Sequence, residues 1–316
     1  MDERFLVTGS GGCIGAWVVA QLVGEGVGVV CFDASDDDHR LALLLDDEQR
    51  AGLPVVRGDI TDAGQVERAL DAHGITHVIH LAALQVPFCR ADPSLGARVN
   101  VVGTVHVLDA VARRADRMGP LVYASSVAAY DALEEGGETA ASMDGSPGTL
   151  YGVFKRANEG SARVYAAERG LASVGLRPHT VYGPGRDQGL TSAPTTAMLA
   201  AAAGSGFHVP FGGRCQMQYA PDVAAAFVAA ARAPAEGAQV RDVGGAAVGM
   251  DEVVAAIEAA APEVVGRVTV EPVELPFPAE GADAVVPPDT TSLADGVADT
   301  VARFRDLLAR GLVTPP

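Results

Sequence analysis

From the start of the chain to about residue 180, short apolar runs alternate with longer stretches whose apolar residues recur every three to four positions. The runs Phe5–Val7, Val27–Phe32, Leu53–Arg57, Thr76–His80, Leu121–Tyr123 and Ser173–Leu176 have the length of strands and the continuous apolar character of strands buried on both faces. Between them Cys13–Glu25, Asp62–Ala72, Pro93–Arg117 and Leu150–Arg169 have helical length and one apolar face. Pro93 suits a first helical turn, where its missing N–H costs nothing. Strands alternating with helices predict an α/β fold with a doubly wound parallel sheet covered on both sides.

After Pro178 the texture becomes short and Gly/Pro-punctuated, with helical patterns at Ala193–Ala203, Pro221–Ala231, Asp251–Ala260 and Leu293–Ala309. The stretch from Pro272 to Pro288 is too broken for regular structure and reads as an ordered loop or an edge. A smaller α/β C-terminal lobe is expected over residues 181–316, with returns to the first domain, residues 1–180, near 215–245. Ligands of open α/β sheets sit at the carboxyl ends of the strands, so the cleft between the lobes is the expected site.

The chain has 316 residues, with 23 Lys+Arg against 40 Asp+Glu and a net charge of −17. Nucleic acid is thereby disfavoured as a partner, because phosphate binding needs clustered cations. Cys13, Cys31, Cys89 and Cys215 form no close pair, which reads as free thiols in a reducing compartment and implies no zinc site. Met1-Asp2-Glu3-Arg4 runs straight into Phe5-Leu6-Val7, with neither a basic leader nor a cleavable apolar segment. The longest purely apolar stretch, Val223 to Ala231, has about half the length of a membrane span. A cytoplasmic protein with no membrane partner is expected.

The first strand runs into Thr8-Gly9-Ser10-Gly11-Gly12-Cys13-Ile14-Gly15. Gly9 permits a tight turn, Gly12 lets backbone approach a pyrophosphate, and Gly15 lets helix and strand pack closely, so that the amides near Cys13 and Ile14 meet phosphate charge. The second strand ends in Asp33, where a carboxylate accepts from ribose hydroxyls and repels a 2′-phosphate. NAD is therefore expected over NADP, with Arg40 and His39 as the residues that speak for the reverse. Asp36-Asp37-Asp38 reads as a solvated acidic loop. After the third strand, Asp59 is placed to reach an adenine amino group with Ile60 against the ring; a helix N-cap by Asp59, Thr61 or Asp62 competes with that reading. Leu81, Ala82 and Ala83 follow the fourth strand as small or apolar residues against a cofactor. His77 and His80 find no third ligand in register and read as strand histidines, so no metal is expected.

Tyr151 and Lys155 stand at i and i+4 on one helix face. A phenol titrates near pH 10, and a neighbouring ammonium would favour its ionised form for removing a hydroxyl proton. Ser126 follows the fifth strand in Tyr123-Ala124-Ser125-Ser126 and would hold the reacting oxygen beside Tyr151.

These motifs together, with Asn100, Leu176-Arg177-Pro178, Val181-Tyr182-Gly183-Pro184 and the Thr290–Gly296 tail, resemble an extended short-chain dehydrogenase/reductase of the NAD-dependent epimerase/dehydratase family. The resemblance covers nearly the whole chain and implies a Rossmann-type first domain that binds NAD. It implies Ser126, Tyr151 and Lys155 as the catalytic set, with Asn100, Pro178 and Val181 beside the cofactor and a homodimer through Pro93–Arg117 and Leu150–Arg169. Dehydratases of that family carry Asp-Glu where this chain has Val127 and Ala128, which argues against dehydration. Nucleotide-sugar members commonly have Asn and Arg where this chain has Thr180 and Gln216. Arg214, two residues before Gln216, could stand in for that arginine.

The expected activity is therefore hydride transfer at a secondary hydroxyl of a sugar or sugar acid, as epimerase or as dehydrogenase through a keto species. The alternative is a nucleotide-sugar 4-epimerase, and behind both stands a non-catalytic NAD-binding regulator. Gln85, Ser126, His179, Tyr182, Arg186, Thr191, Ser192 and Gln218 are the expected substrate contacts, with Arg186 and Arg214 available for an anion.

Overall fold

A computed structural model describes residues 3–132, 142, 143, 146–245, 247–279, 281, 284, 285 and 290–316. Among the described residues, eight strands form the central sheet in the order Ala284–Val285, Ala238–Val243, Ser173–Arg177, Leu121–Ala124, His77–His80, Arg4–Thr8, Gly28–Asp33 and Val55–Arg57. Every neighbouring pair in that sheet is parallel. Arg4–Thr8 lies between Gly28–Asp33 and His77–His80, so the winding reverses beside it and a crevice opens at its carboxyl end. On one face Cys13–Gly24 packs with Ala220–Arg232 around Phe5, Val7, Leu22 and Phe227, all 0% exposed. On the other, Leu6, Leu70, Leu108 and Tyr123 join the helices Ala63–Ala72, Thr104–Ala112 and Leu150–Arg169. Each such side chain contributes about 1.5–3 kcal/mol by leaving water.

A second core gathers Met198, Phe211, Val253, Ile257, Val301 and Phe304 between Ala193–Ala202, Met250–Ala260 and Leu293–Ala309. Its strands are short: Ala247–Gly249, Arg214–Tyr219 and Thr180–Tyr182 form one sheet, and Phe207–Val209 pairs with Val268–Val270. Periodicity did not reveal these strands, because runs of three to six residues carry too little pattern and partners distant in sequence hold them. Ala238–Val243 rejoins the central sheet against Ser173–Arg177. The Pro272–Pro288 stretch supplies the edge strand Ala284–Val285; its residues 280, 282, 283 and 286–288 lie outside the described residues.

One helix differs from its expected form. Pro93–Arg117 is an α-turn Pro93–Ala97, a π-helical segment Arg98–Gly103 and an α-helix Thr104–Ala112. The wide segment carries Asn100, whose carbonyl accepts from the side chains of Asn158 (2.8 Å) and Thr104 (2.7 Å), and it brings Gly103 against Ile60. A single wide turn of this kind re-aims side chains, commonly at a functional site.

Candidate active site

The glycine-rich turn is packed to its limit. Gly9 has φ +70°, and a Cβ there would lie 2.6 Å from the Ala82 amide nitrogen; one on Gly15 would lie 2.1 Å from the Gly9 carbonyl oxygen. Leu81 and Ala82 therefore line the turn directly, held by Thr8 through its carbonyl (3.0 Å) and hydroxyl (3.4 Å). The helix Cys13–Gly24 has no side-chain cap at its start, so its first amides face the crevice with no competing side-chain acceptor among the described residues. Asp33 accepts from the amides of Gly11 (2.9 Å) and Ser35 (3.1 Å), which fixes the carboxylate beside the turn.

Asp62, not Asp59 or Thr61, caps the helix Ala63–Ala72, and Asp59 instead receives the Thr61 amide at 2.8 Å. Ile60 is 4% exposed and its carbonyl pairs with His106 at 2.9 Å. Asn100 locks the loop after the fourth strand, accepting the Leu84 amide at 2.7 Å and donating to the Leu84 carbonyl at 2.8 Å. His80 is tied at both ring nitrogens to Thr8 (2.7 Å) and Thr104 (3.0 Å), and burial pushes it down to about 3, a neutral strand histidine. His77 stacks on Phe5.

Ser126, Tyr151 and Lys155 converge at the carboxyl end of Leu121–Ala124. Gly152 makes this possible: a Cβ there would lie 1.9 Å from the Ala128 carbonyl oxygen, so only glycine lets the helix Leu150–Arg169 abut the turn Val127–Ala129. The Ser126 side chain lies close enough to Tyr151 to act on its phenol, and both residues are half-buried. Lys155 lies 5.4 Å over the Tyr151 ring and donates to the Ala124 carbonyl at 2.6 Å. The downward shift expected of the phenol is not what this geometry gives. Burial raises Tyr151, and the polar Ser126 side chain and the charge of Arg186 only partly offset it. Burial likewise drives Lys155 down to about 8.

The loop after Thr180–Tyr182 carries Arg186, Thr191 and Ser192. Arg186 donates to the Thr191 hydroxyl at 2.6 Å, its Nε is buried with no partner among the described residues, and its charge acts on both Cys13 and Tyr151. The Gln85 amide oxygen lies 3.0 Å from where a Cβ of Gly189 would stand. Other expected contacts serve the fold. Ser192 donates to the Gly189 carbonyl at 2.7 Å, and Gln218 bridges the His179 amide (2.8 Å) and the Val243 carbonyl. Tyr182 is buried beneath Gly296. Arg214 is exposed and donates to the Ala247 carbonyl at 2.7 Å. His179 is held down to about 4 by burial, and its Nε2 has no partner among the described residues. Pro178 accepts the Val127 amide at 3.1 Å beside Ser126, and Val181 packs into the first core.

Sequence reasoning gave no role to Glu159, which is 0% exposed one turn beyond Lys155. It accepts from Ser125 (2.5 Å) and from two nitrogens of Arg177 (2.8 and 2.7 Å), bracing the strand end that carries Ser126. The available signal was a carboxylate four residues after Lys155, on the face that the helix buries.

The glycine turn, the uncapped helix start and the Asp33 carboxylate fit a dinucleotide: tight backbone and free amides suit its phosphates, and a carboxylate at the strand end suits its ribose. In sequence the chain is 35% identical over 187 residues to UDP-glucuronate 4-epimerase 3 of Arabidopsis thaliana, a match covering 57% of this chain and 42% of that one. The chain thus spans less than half the length of that relative. In structure it is similar to the UDP-glucose 4-epimerase of Thermus thermophilus in complex with NAD, with 29% identity, a TM-score of 0.75 and coverage of 96% of this chain and 99% of that one. A monomeric L-threonine 3-dehydrogenase from a metagenome, at 18% identity and a TM-score of 0.79 over 96% of this chain and 99% of that one, shares the fold alone. The model of the NAD-dependent epimerase/dehydratase family matches residues 5–244, three quarters of the length, and the chain belongs to that family.

Proposed function

We propose that the chain is an NAD-dependent epimerase acting at a secondary hydroxyl of a sugar acid. The observation that carries this reading is the meeting of Ser126 and Tyr151, both half-buried, at one strand end, with Lys155 5.4 Å over the phenol ring and the charge of Arg186 acting on it. NAD would be held by the turn Gly9–Gly15, by Asp33 and by Lys155, and supplies the hydride acceptor when bound. Ser126 and Tyr151 hold the reacting oxygen between two hydroxyls, and Tyr151 takes its proton as hydride leaves the carbon. Return of hydride to the opposite face gives the epimer; release of the ketone would be net dehydrogenation. The Nε of Arg186, with no hydrogen-bond partner among the described residues, supports a carboxylate on the substrate, since a guanidinium recognises that group with two parallel bonds. Similarity to a UDP-glucuronate 4-epimerase supports the same feature and favours a second reading, in which the sugar acid is nucleotide-linked.

Glucuronate, UDP-glucuronate and UDP-glucose, each with the chain and NAD, separate these readings by NMR of the inverted product and absorbance of NADH. The two uronates are expected to turn over well above UDP-glucose. Equal turnover of UDP-glucose would remove the sugar-acid assignment, and stoichiometric NADH would replace epimerase with dehydrogenase.

The homodimer is part of this reading. Phe88, Leu95 and Val102 are 48%, 39% and 44% exposed, and Leu150, Val153 and Val164 are 43%, 42% and 51% exposed on the adjacent helix, which makes an unpartnered apolar face. Leu95 and Val102 lie within the apolar 20-residue run Pro93–Ala112. Sedimentation at micromolar concentration is expected to give twice the chain mass, and a monomer would exclude the dimer. The four free thiols support the cytoplasm as its compartment.

A further inference from the structure

Arg40, weighed from sequence only as a binder of 2′-phosphate, is engaged elsewhere. It donates to the Gly11 carbonyl at 2.9 Å, to the Gly185 carbonyl at 3.0 Å and to Asp187 at 2.7 Å, and its side chain is only 12% exposed. His39 pairs with the other oxygen of Asp187 at 3.0 Å. Trp17 adds a third tie from the first domain, donating to the Pro184 carbonyl at 2.9 Å. Three of the residues so held, Pro184, Gly185 and Asp187, flank Arg186, and Gly185 has φ +87°, a backbone state that only glycine takes without strain. One guanidinium thus bonds the glycine-rich turn to the loop that delivers Arg186, whose Gly185 and Asp187 lie 145 and 147 residues from Arg40 in sequence.

We propose that Arg40 is a positioning residue for substrate recognition: by clamping the Gly183–Asp187 loop to the glycine-rich turn, it sets Arg186 where the carboxylate of the substrate must lie. This rests on the sugar-acid reading above. An arginine is needed because three acceptors in different directions require a planar fork; a lysine supplies the charge but not the directions. With this guanidinium engaged, Arg40 is also not free to meet a 2′-phosphate.

Trp17 is the only tryptophan of the chain and touches the clamped loop, so its fluorescence reports the clamp without any turnover. In full-length Arg40→Gln, Trp17 emission is expected to shift to the red and to become more open to acrylamide quenching. KM for glucuronate or UDP-glucuronate, whichever turns over, is expected to rise roughly tenfold, as for a lost charge-assisted contact, with kcat changed less than about threefold. Arg40→Lys should behave like Arg40→Gln. Asp187→Asn, at a half-exposed side chain, should move both readouts the same way by less. Wild-type emission or wild-type KM in Arg40→Gln, or full rescue by lysine, would overturn the proposal. Arg186→Gln keeps the two failures apart. If it leaves uronate KM unchanged, the sugar-acid reading has failed; if it raises KM where Arg40→Gln does not, only the positioning role has failed.

Discussion

Tyr151→Phe is expected to lower turnover by a factor on the order of one hundred or more while leaving NAD affinity nearly intact. The phenyl ring keeps its shape, so the turn Val127–Ala129 and the helix Leu150–Arg169 stay in contact through Gly152. What is lost is one oxygen, close to Ser126 and the proposed acceptor of the substrate proton. Lys155→Ala should cost both rate and NAD affinity, because its ammonium lies against Tyr151 and on the side where the cofactor is proposed to sit. Initial rates with calorimetric NAD titrations check both variants. A Tyr151→Phe protein above about a tenth of the parent rate would show that another group takes the proton.

Glu159→Gln is expected to cost about 3–5 kcal/mol of stability, the range for breaking a buried ion pair from one side. The carboxylate accepts two bonds from Arg177 and one from Ser125, at a site with no exposure to water. Burial alone would lower Arg177, but its bonds to Glu159 and the nearby Asp242 carboxylate, at 3.8 Å, hold it charged. Asp242 in turn accepts from Tyr130 at 2.7 Å. Glutamine removes the charge that compensates Arg177 and leaves a buried cation short of a partner. Urea unfolding should show a lower midpoint at an unchanged slope. Arg177→Met combined with Glu159→Gln should recover part of the loss, since the double variant buries neither charge. A single variant within about 1 kcal/mol of the parent would mean that the pair contributes little and that the strand end is held by its apolar neighbours.

The amino-acid sequence by itself determined the parallel central sheet, because strands buried on both faces and helices with one apolar face leave strong local patterns. Cys13–Gly24 and Leu150–Arg169 lie within a residue of where periodicity puts them. It also placed Gly9, Gly15, Asp33, Ser126 and Tyr151 at or near strand ends and helix starts, where the structure has them. Only the tertiary structure decided the rest. The strands Thr180–Tyr182 and Ala247–Gly249 exist because Arg214–Tyr219 lies between them, and no three-residue run announces its partner. Whether Gln218 meets a ligand or holds the His179 amide depended on which neighbours packing brought to it. The carboxylate of Glu159 and the guanidinium of Arg40 look like ordinary helix charges in sequence. They acquire their roles from Arg177 and from Gly185, because an ion pair or hydrogen bond depends on distance in space and the chain between the partners carries no trace of it.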